Sequence, residues 1–461
     1  MGWFVRAEHA QTTPHPELLR CYEKVIYERM KTILALPADG RILFTTRLLR
    51  LFAYGFLSVV LGLYLAEAGL EAAQIGLLLT LTLLGDTAIS LWLTTHADRA
   101  GRRRMLLIGT ALMIFAAVLF AATRSFYLLV LAATIGVISP SGYEVGPFLS
   151  IEQASLTQLA SDQQRTGVFA WYNLVGSFAT AVGALVGGGL SQLLQGAGYA
   201  PLLSYRVVIL GYGLVGLVMT VLFTRLSPAI EVPPARRTEA GSDGSPEGTT
   251  QRPFLGLYQS QKVVFRLSAL FALDAFAGGF VVQALLALWL NIRFGLEPAV
   301  LGAIFFGANI LAGISALSAA WVARKIGLIN TMVFTHLPSN ILLILVPFMP
   351  SLPLAILLLL LRFSISQMDV PTRQSYTMAV VAPDERSAAA GVTGVARTIG
   401  AALSPVFTGL FMSNPAFLGL PFVISGGLKI VYDLALYYNF RTMKPPEERQ
   451  PVMVDSKEIS K

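Results

Sequence analysis

Apolar residues in this chain come in long, nearly unbroken runs, such as Met105 to Ala122 and Leu352 to Leu361, rather than in amphipathic stripes. A helix needs roughly 20 mostly apolar residues to cross a bilayer. The other spanning solution, a closed barrel, uses strands that alternate apolar and polar residues, and that alternation is absent. The spans are therefore helices. Only 13% of the 461 residues are charged and 55% are hydrophobic, whereas soluble chains carry about 25% charge. The net charge of +8 does not point to nucleic acid, because the basic residues sit in short loops between apolar runs. Cys21 is the only cysteine, which excludes an internal disulfide and a thiolate metal cluster. No clustered His, Cys or acid spacing suggests a metal site, and no cofactor is expected. The first apolar run begins near Leu48, so no cleavable signal peptide is expected.

Spans are expected near 48–68, 73–96, 105–123, 126–150, 167–194 and 206–225, and again near 264–290, 299–322, 329–349, 352–377, 388–411 and 416–440. Between the two sets, 227–262 contains Pro233, Pro234, Gly241, Ser242, Gly244, Ser245 and Pro246. That composition cannot bury a core and reads as a linker. The expected organisation is an N-terminal segment 1–45, a bundle 46–226, the linker 227–262, a second bundle 263–442 and a tail 443–461. Basic residues concentrate on one side: Arg47, Arg50, Arg99, Arg102, Arg103, Arg104, Arg165, Arg225, Arg324, Lys325, Arg386 and the tail. The other side holds little beyond Arg124, Arg206 and Arg293. The positive-inside rule then places both termini in the cytoplasm.

The two sets of spans match each other. Gly69-Leu70-Glu71-Ala72 aligns with Gly295-Leu296-Glu297-Pro298, and Ala97-Asp98-Arg99-Ala100-Gly101 with Ala323-Arg324-Lys325-Ile326-Gly327. Asp162-Gln163-Gln164-Arg165 pairs with Pro383-Asp384-Glu385-Arg386, and Ser141 to Pro147 with Ser366 to Pro371. Four matches in one order indicate duplication, the architecture of transporters with a site between repeated bundles.

The loop after the second span reads Asp98-Arg99-Ala100-Gly101-Arg102-Arg103. It resembles the Gly-x-x-x-Asp-Arg-x-Gly-Arg-Arg/Lys pattern of the major facilitator superfamily (MFS), with Thr94 where that pattern opens on glycine. The resemblance runs from about Arg47 to Arg441. It implies an all-α membrane protein with about 12 transmembrane helices in two pseudo-symmetric six-helix bundles. It also implies that Asp98, Arg99, Gly101, Arg102 and Arg103 form a gating latch. Gly183 to Gly189 resembles the glycine-rich fifth span of drug exporters, without its proline, while the exporters' arginine in the fourth span is missing. The chain thus looks like drug-efflux-like permeases described from bacteria.

Charges at membrane depth are costly and mark a pathway or a pair. Glu144 and Asp369 hold matching positions in the repeat, on spans that line the central cavity in the family, and are the first candidates for carrying a proton. Asp274 joins them. Arg362 suits an anionic substrate group, or pairs with Asp369 or Asp274. Arg373, four residues beyond Asp369, can lock it. Lys429 and Asp433, one turn apart on the peripheral twelfth span, are expected to neutralise each other. His336 and Asn340 share a face of the ninth span and read as a satisfied histidine. Asp86 and Arg397 are expected to approach across the interface between the halves. Small residues there, including Gly176, Gly183 and Gly187 on the fifth span and Gly391, Gly394 and Gly400 on the eleventh, let backbones approach and slide.

These features predict a monomeric secondary transporter of a small-molecule substrate in the cell membrane, coupled to protons and directed to efflux. Uptake of a metabolite or organic anion is the alternative. A non-transporting sensor would need a signalling domain that the linker and tail are too short to supply. No Walker-type loop exists to bind ATP, and no nucleophile–base set suggests an enzyme.

Overall fold

Lipid offers no hydrogen-bonding partner to a bare peptide group, so each spanning segment must satisfy its own backbone. The computed structural model describes residues 36–143, 146–159, 162–231 and 257–443, and these are helical, with no β-sheet among them. Six spans form the first half. They are α1 (Ala38–Glu67), α2 (Ala72–Ala100), α3 (Arg102–Ala122), the pair α4 (Phe126–Ile135) and α5 (Phe148–Leu159), α6 (Asp162–Gly196) and α7 (Pro201–Thr224). The second half is α8 (Gln261–Gly279) with α9 (Gln283–Phe294), α10 (Pro298–Ile326), α11 (Leu328–Leu345), α12 (Leu352–Ile365) with α13 (Asp369–Val380), α14 (Arg386–Leu403) with α15 (Pro405–Met412), and α16 (Leu420–Phe440). Among the described residues, 11 helical segments are long and apolar enough to cross a membrane, and Phe126–Ile135 adds a shorter apolar helix. Glu144, most of the linker and most of both terminal segments lie outside the described residues.

The duplication is visible in the packing. In each half the first span packs on the fifth and the third on the sixth. A Cβ on Gly183 or Gly187 would strike the Phe52 or Phe56 backbone, and one on Gly400 would strike that of Ala272. Gly213 lies against Ala117, and Gly426 against Ile344 and the Asn340 carbonyl. Several glycines expected at the interface between halves therefore serve contacts inside each half. The halves meet instead through Gly188 against Pro298 and Gly302, Gly76 against Pro405 and Gly409, and Gly62 against the Ala284 carbonyl. All three contacts lie near one end of the bundle, the end of the turns at Gly69, Gly198 and Gly295 (the far end). The opposite, basic end carries Asp98 to Arg104, Arg324, Lys325 and Arg386.

Four spans are interrupted, and the freed backbone groups find partners. The Ala284 amide donates to the Pro140 carbonyl at 3.0 Å, and Tyr212 donates to the Val137 carbonyl. The Thr408 hydroxyl donates to the Phe280 carbonyl at 2.9 Å. The fourth span runs on to Leu159, beyond the expected end at 150. The first begins at Ala38, ten residues before the expected start. The longer fourth span has a visible cause. Arg50, expected as a flanking charge, is buried in α1 and holds Glu152 of α5 in a fork, with Nη1–Oε1 2.6 Å and Nη2–Oε2 2.7 Å. The pairing neutralises Glu152 and lets α5 stay helical beyond the end that composition suggests.

Candidate functional site

A cavity of about 750 Å³ lies between the halves. Its wall includes Leu83, Asp86, Thr87, Ser90 and Thr94 of α2, and Gly391, Gly394, Arg397 and Thr398 of α14. Gly391 and Gly394 would meet nothing within 4 Å if given a side chain. Leu91, also in the wall, is 51% exposed. The cavity is thus open toward the basic end and closed at the far end, where the glycine crossings bring backbones into contact.

Four sequence-predicted charges on the second half, Asp274, Arg362, Asp369 and Arg397, line this one cavity, and Asp86 lines it from the first half. Arg362 lies in the last turn of α12 and Asp369 starts α13, so the two sit on separate helices. Arg373 Nη1 donates to Asp369 Oδ2 at 2.9 Å and to Asp274 Oδ2 at 3.0 Å. Glu144 lies outside the described residues; Tyr143 and Gly146 line the cavity.

Among the described residues, Lys429 and Asp433 form no direct ion pair with each other. Lys429 Nζ donates to Asp274 Oδ1 at 2.5 Å. Asp433 accepts from Asn340 Nδ2 at 2.9 Å and lies 2.8 Å from His336 Nδ1. The reason is that α16 packs against both α8 and α11, so a Coulomb partner across the helix contact is closer than the one on the same helix. His336 Nε2 is 3.9 Å from Asp274 Oδ1, and His336 lines the cavity. A connected chain of charge thus runs Asp433–His336–Asp274, with Lys429, Arg373 and Asp369 attached. Sequence reasoning set aside His336 and Lys429 because the ninth and twelfth spans are peripheral in the family. The ionisable residues themselves at membrane depth were the available signal.

The motif at the basic end makes its described contacts within the first half. Gly101 has φ +104°, a conformation that favours glycine. Asp98 Oδ1 accepts from Arg102 Nε at 2.9 Å. Glu231, in the first part of the linker, accepts from the backbone amides of Arg102 at 2.8 Å and Arg103 at 3.1 Å. The carboxylate that caps α3 is therefore Glu231, and a negative group there suits the helix dipole.

Two bundles of spans around a polar cavity closed at one end define a polytopic membrane transporter fold. The chain matches the family model described as Major Facilitator Superfamily over residues 43–405 and belongs to that superfamily. An uncharacterized membrane protein of Saccharomyces cerevisiae is 32% identical over 417 residues, covering 86% of this chain and 93% of the relative. Among solved structures, the nucleoside transporter NupG (a D323A mutant) superposes with TM-score 0.68 at 13% identity, over 87% of this chain and 99% of that one. A D-xylose-proton symporter gives TM-score 0.66 at 16% identity, over 86% and 96%. A bacterial homolog of the human lysosomal transporter Spinster, inward-facing and unoccupied, gives 0.63 at 16%, over 89% and 95%.

Proposed function

We propose that this protein is a proton-coupled secondary transporter that works by alternating access. The observation that supports it is the cavity, open at the basic end and closed by backbone crossings at the far end. By the positive-inside rule the basic end is cytoplasmic, with both termini, and the protein acts as a monomer in the cell membrane. The bundles 46–226 and 263–442 rock about the glycine crossings, which permit close backbone sliding. Released from the second half in this inward-open state, the Asp98 motif is free to engage it when the basic end closes.

Coupling is placed on Asp274 and His336. His336 is faced by Asp274 on α8, Asn340 beside it on α11, and Asp433 and the Tyr432 ring on α16, and Lys429 of α16 holds the same Asp274 carboxylate. In this reading the hydrogen on Nδ1 is shared with Asp433, 2.8 Å away, and Nε2 is the ring nitrogen turned toward Asp274. A proton taken at Nε2 gives Asp274 a third cation and loosens its hold on Lys429 and Arg373. Asp369 and Glu144 are the further acids through which the proton leaves. The glycine-rich α6, similar to that of exporters, directs the proposal to efflux.

The test uses membrane vesicles of both orientations, an imposed pH gradient, and a panel of aromatic acids, amines, sugars and nucleosides. At least one solute is expected to move with dissipation of the gradient, in the exporting direction. His336→Gln should abolish that pH-driven movement yet keep solute exchange, which needs no net proton transfer. Movement with no proton flux contradicts the coupling. Movement only into the cytoplasmic side contradicts efflux and favours uptake. Failure of every solute to move contradicts transport.

A further inference from the structure

The cavity's acids and cations are unequally engaged. Asp274 is held by both Lys429 and Arg373, and Asp369 by Arg373. Arg362 and Arg397 line the same cavity and form no ion pair among the described residues. The Nε atoms of both are buried and have no hydrogen-bond partner there. A guanidinium presents five donors in a planar fork that fits a carboxylate or phosphate. Leaving such donors dry and unpartnered is unfavourable, whereas an oxyanion in the cavity would satisfy them. On the second half, a cationic cargo would meet two guanidiniums with no ion-pair partner among the described residues and two acids that already hold cations.

The rest of the wall adds apolar surface, with Leu83, Leu286, Phe305, Phe363 and Val370 among its lining residues. A volume of about 750 Å³ falls in the range of pockets that enclose drug-sized ligands, which are mostly apolar with a few placed polar groups. We infer that the cargo is an organic oxyanion with an apolar body, its carboxylate or phosphate held by Arg362 and Arg397. This rests on the transport reading above and names the class of substrate.

The experiment measures binding to the full chain purified in detergent, so it needs no transport. The probes are four compounds that share one ring system: naphthoate, naphthyl phosphate, naphthamide and naphthylmethylammonium. Ligand-dependent thermal shifts and titration give affinities. Naphthoate or naphthyl phosphate, or both, should stabilise the protein, while the amide and the ammonium do not. Arg362→Gln and Arg397→Gln should each weaken anion binding by about tenfold, the effect of one charge-assisted hydrogen bond. Arg362→Lys and Arg397→Lys, which keep the charge and lose the fork, should fall between. If the glutamine variants do not fold, the lysine variants and the wild-type ranking of the four probes decide. Stabilisation by the amide or the ammonium equal to that by the anions overturns the inference, as does the absence of stabilisation by either anion. Anion binding without any vesicle transport would overturn the transport reading and leave this one standing. Proton-driven movement of a neutral or cationic solute would do the reverse.

Discussion

The two halves arose by duplication, yet they place buried charge differently. In the first half, Arg50 of the first span and Glu152 of the fourth are both 0% exposed and joined by two short hydrogen bonds. Thr46 donates to Glu152 at 3.1 Å and Tyr172 donates to it as well, and neither Arg50 nor Glu152 lines the cavity. In the second half the seventh and tenth spans are also joined by an ion pair, with the polarity reversed: Asp274 supplies the acid and Arg373 the base. That pair lines the cavity, shares its acid with Lys429, and stands beside Arg362 and Arg397. Burial of charge is therefore common to both halves, and access from the cavity is what separates a scaffold pair from a working one. A fully satisfied pair fixes helix positions, whereas one that shares its acid can exchange partners with a proton or a cargo.

This contrast is broken most directly by removing one acid from each half. Glu152→Gln removes the buried carboxylate that Arg50 grips through two hydrogen bonds, and breaking a buried pair costs about 3–5 kcal/mol. It should remove most monodisperse protein from a size-exclusion profile. Asp274→Asn leaves its cations facing a cavity open at one end, so the protein should remain folded while pH-driven transport is lost. Equal loss of folded protein in both variants would erase the distinction between the halves.

The helical class, the duplication and most of the cavity charges were legible in the sequence, because a long apolar run has few alternatives and an ionisable residue within one stands out. Partner choice was not legible. Lys429 and Asp433 look paired by spacing, but the contact of α16 with α8 and α11 offers each a nearer partner. Glu152 escaped notice because the fourth span is interrupted between Ile135 and Phe148 and its apolar signal ends early. Helix rotation decided the glycines in the same way. Gly187 turns to Phe56 inside its half and its neighbour Gly188 to Gly302 across the interface, a difference of one residue that periodicity does not resolve.

A smaller effect sharpens the same comparison at the cavity. Asp86 and Arg397 face it from opposite halves, each in the wall of α2 or α14. We propose that they approach when the basic end closes. A reversed charge at membrane depth costs about 3 kcal/mol, so either single reversal, Asp86→Arg or Arg397→Asp, should reduce turnover sharply. The double reversal should restore part of it in proteoliposomes. A double variant as inactive as the singles would mean that each residue acts on its own.

Alternating access requires that one end open as the other closes. With a single native cysteine, a Cys21→Ser background permits paired spin labels. Glu67→Cys with Asn414→Cys would report the far end, and Thr95→Cys with Ala390→Cys the basic end. Electron–electron distance distributions would be measured in nanodiscs across a pH series, with and without naphthoate. The account predicts reciprocal change: conditions that lengthen the far-end distance shorten the basic-end distance. Distances that lengthen together, or that both stay fixed in samples active in transport, would contradict it.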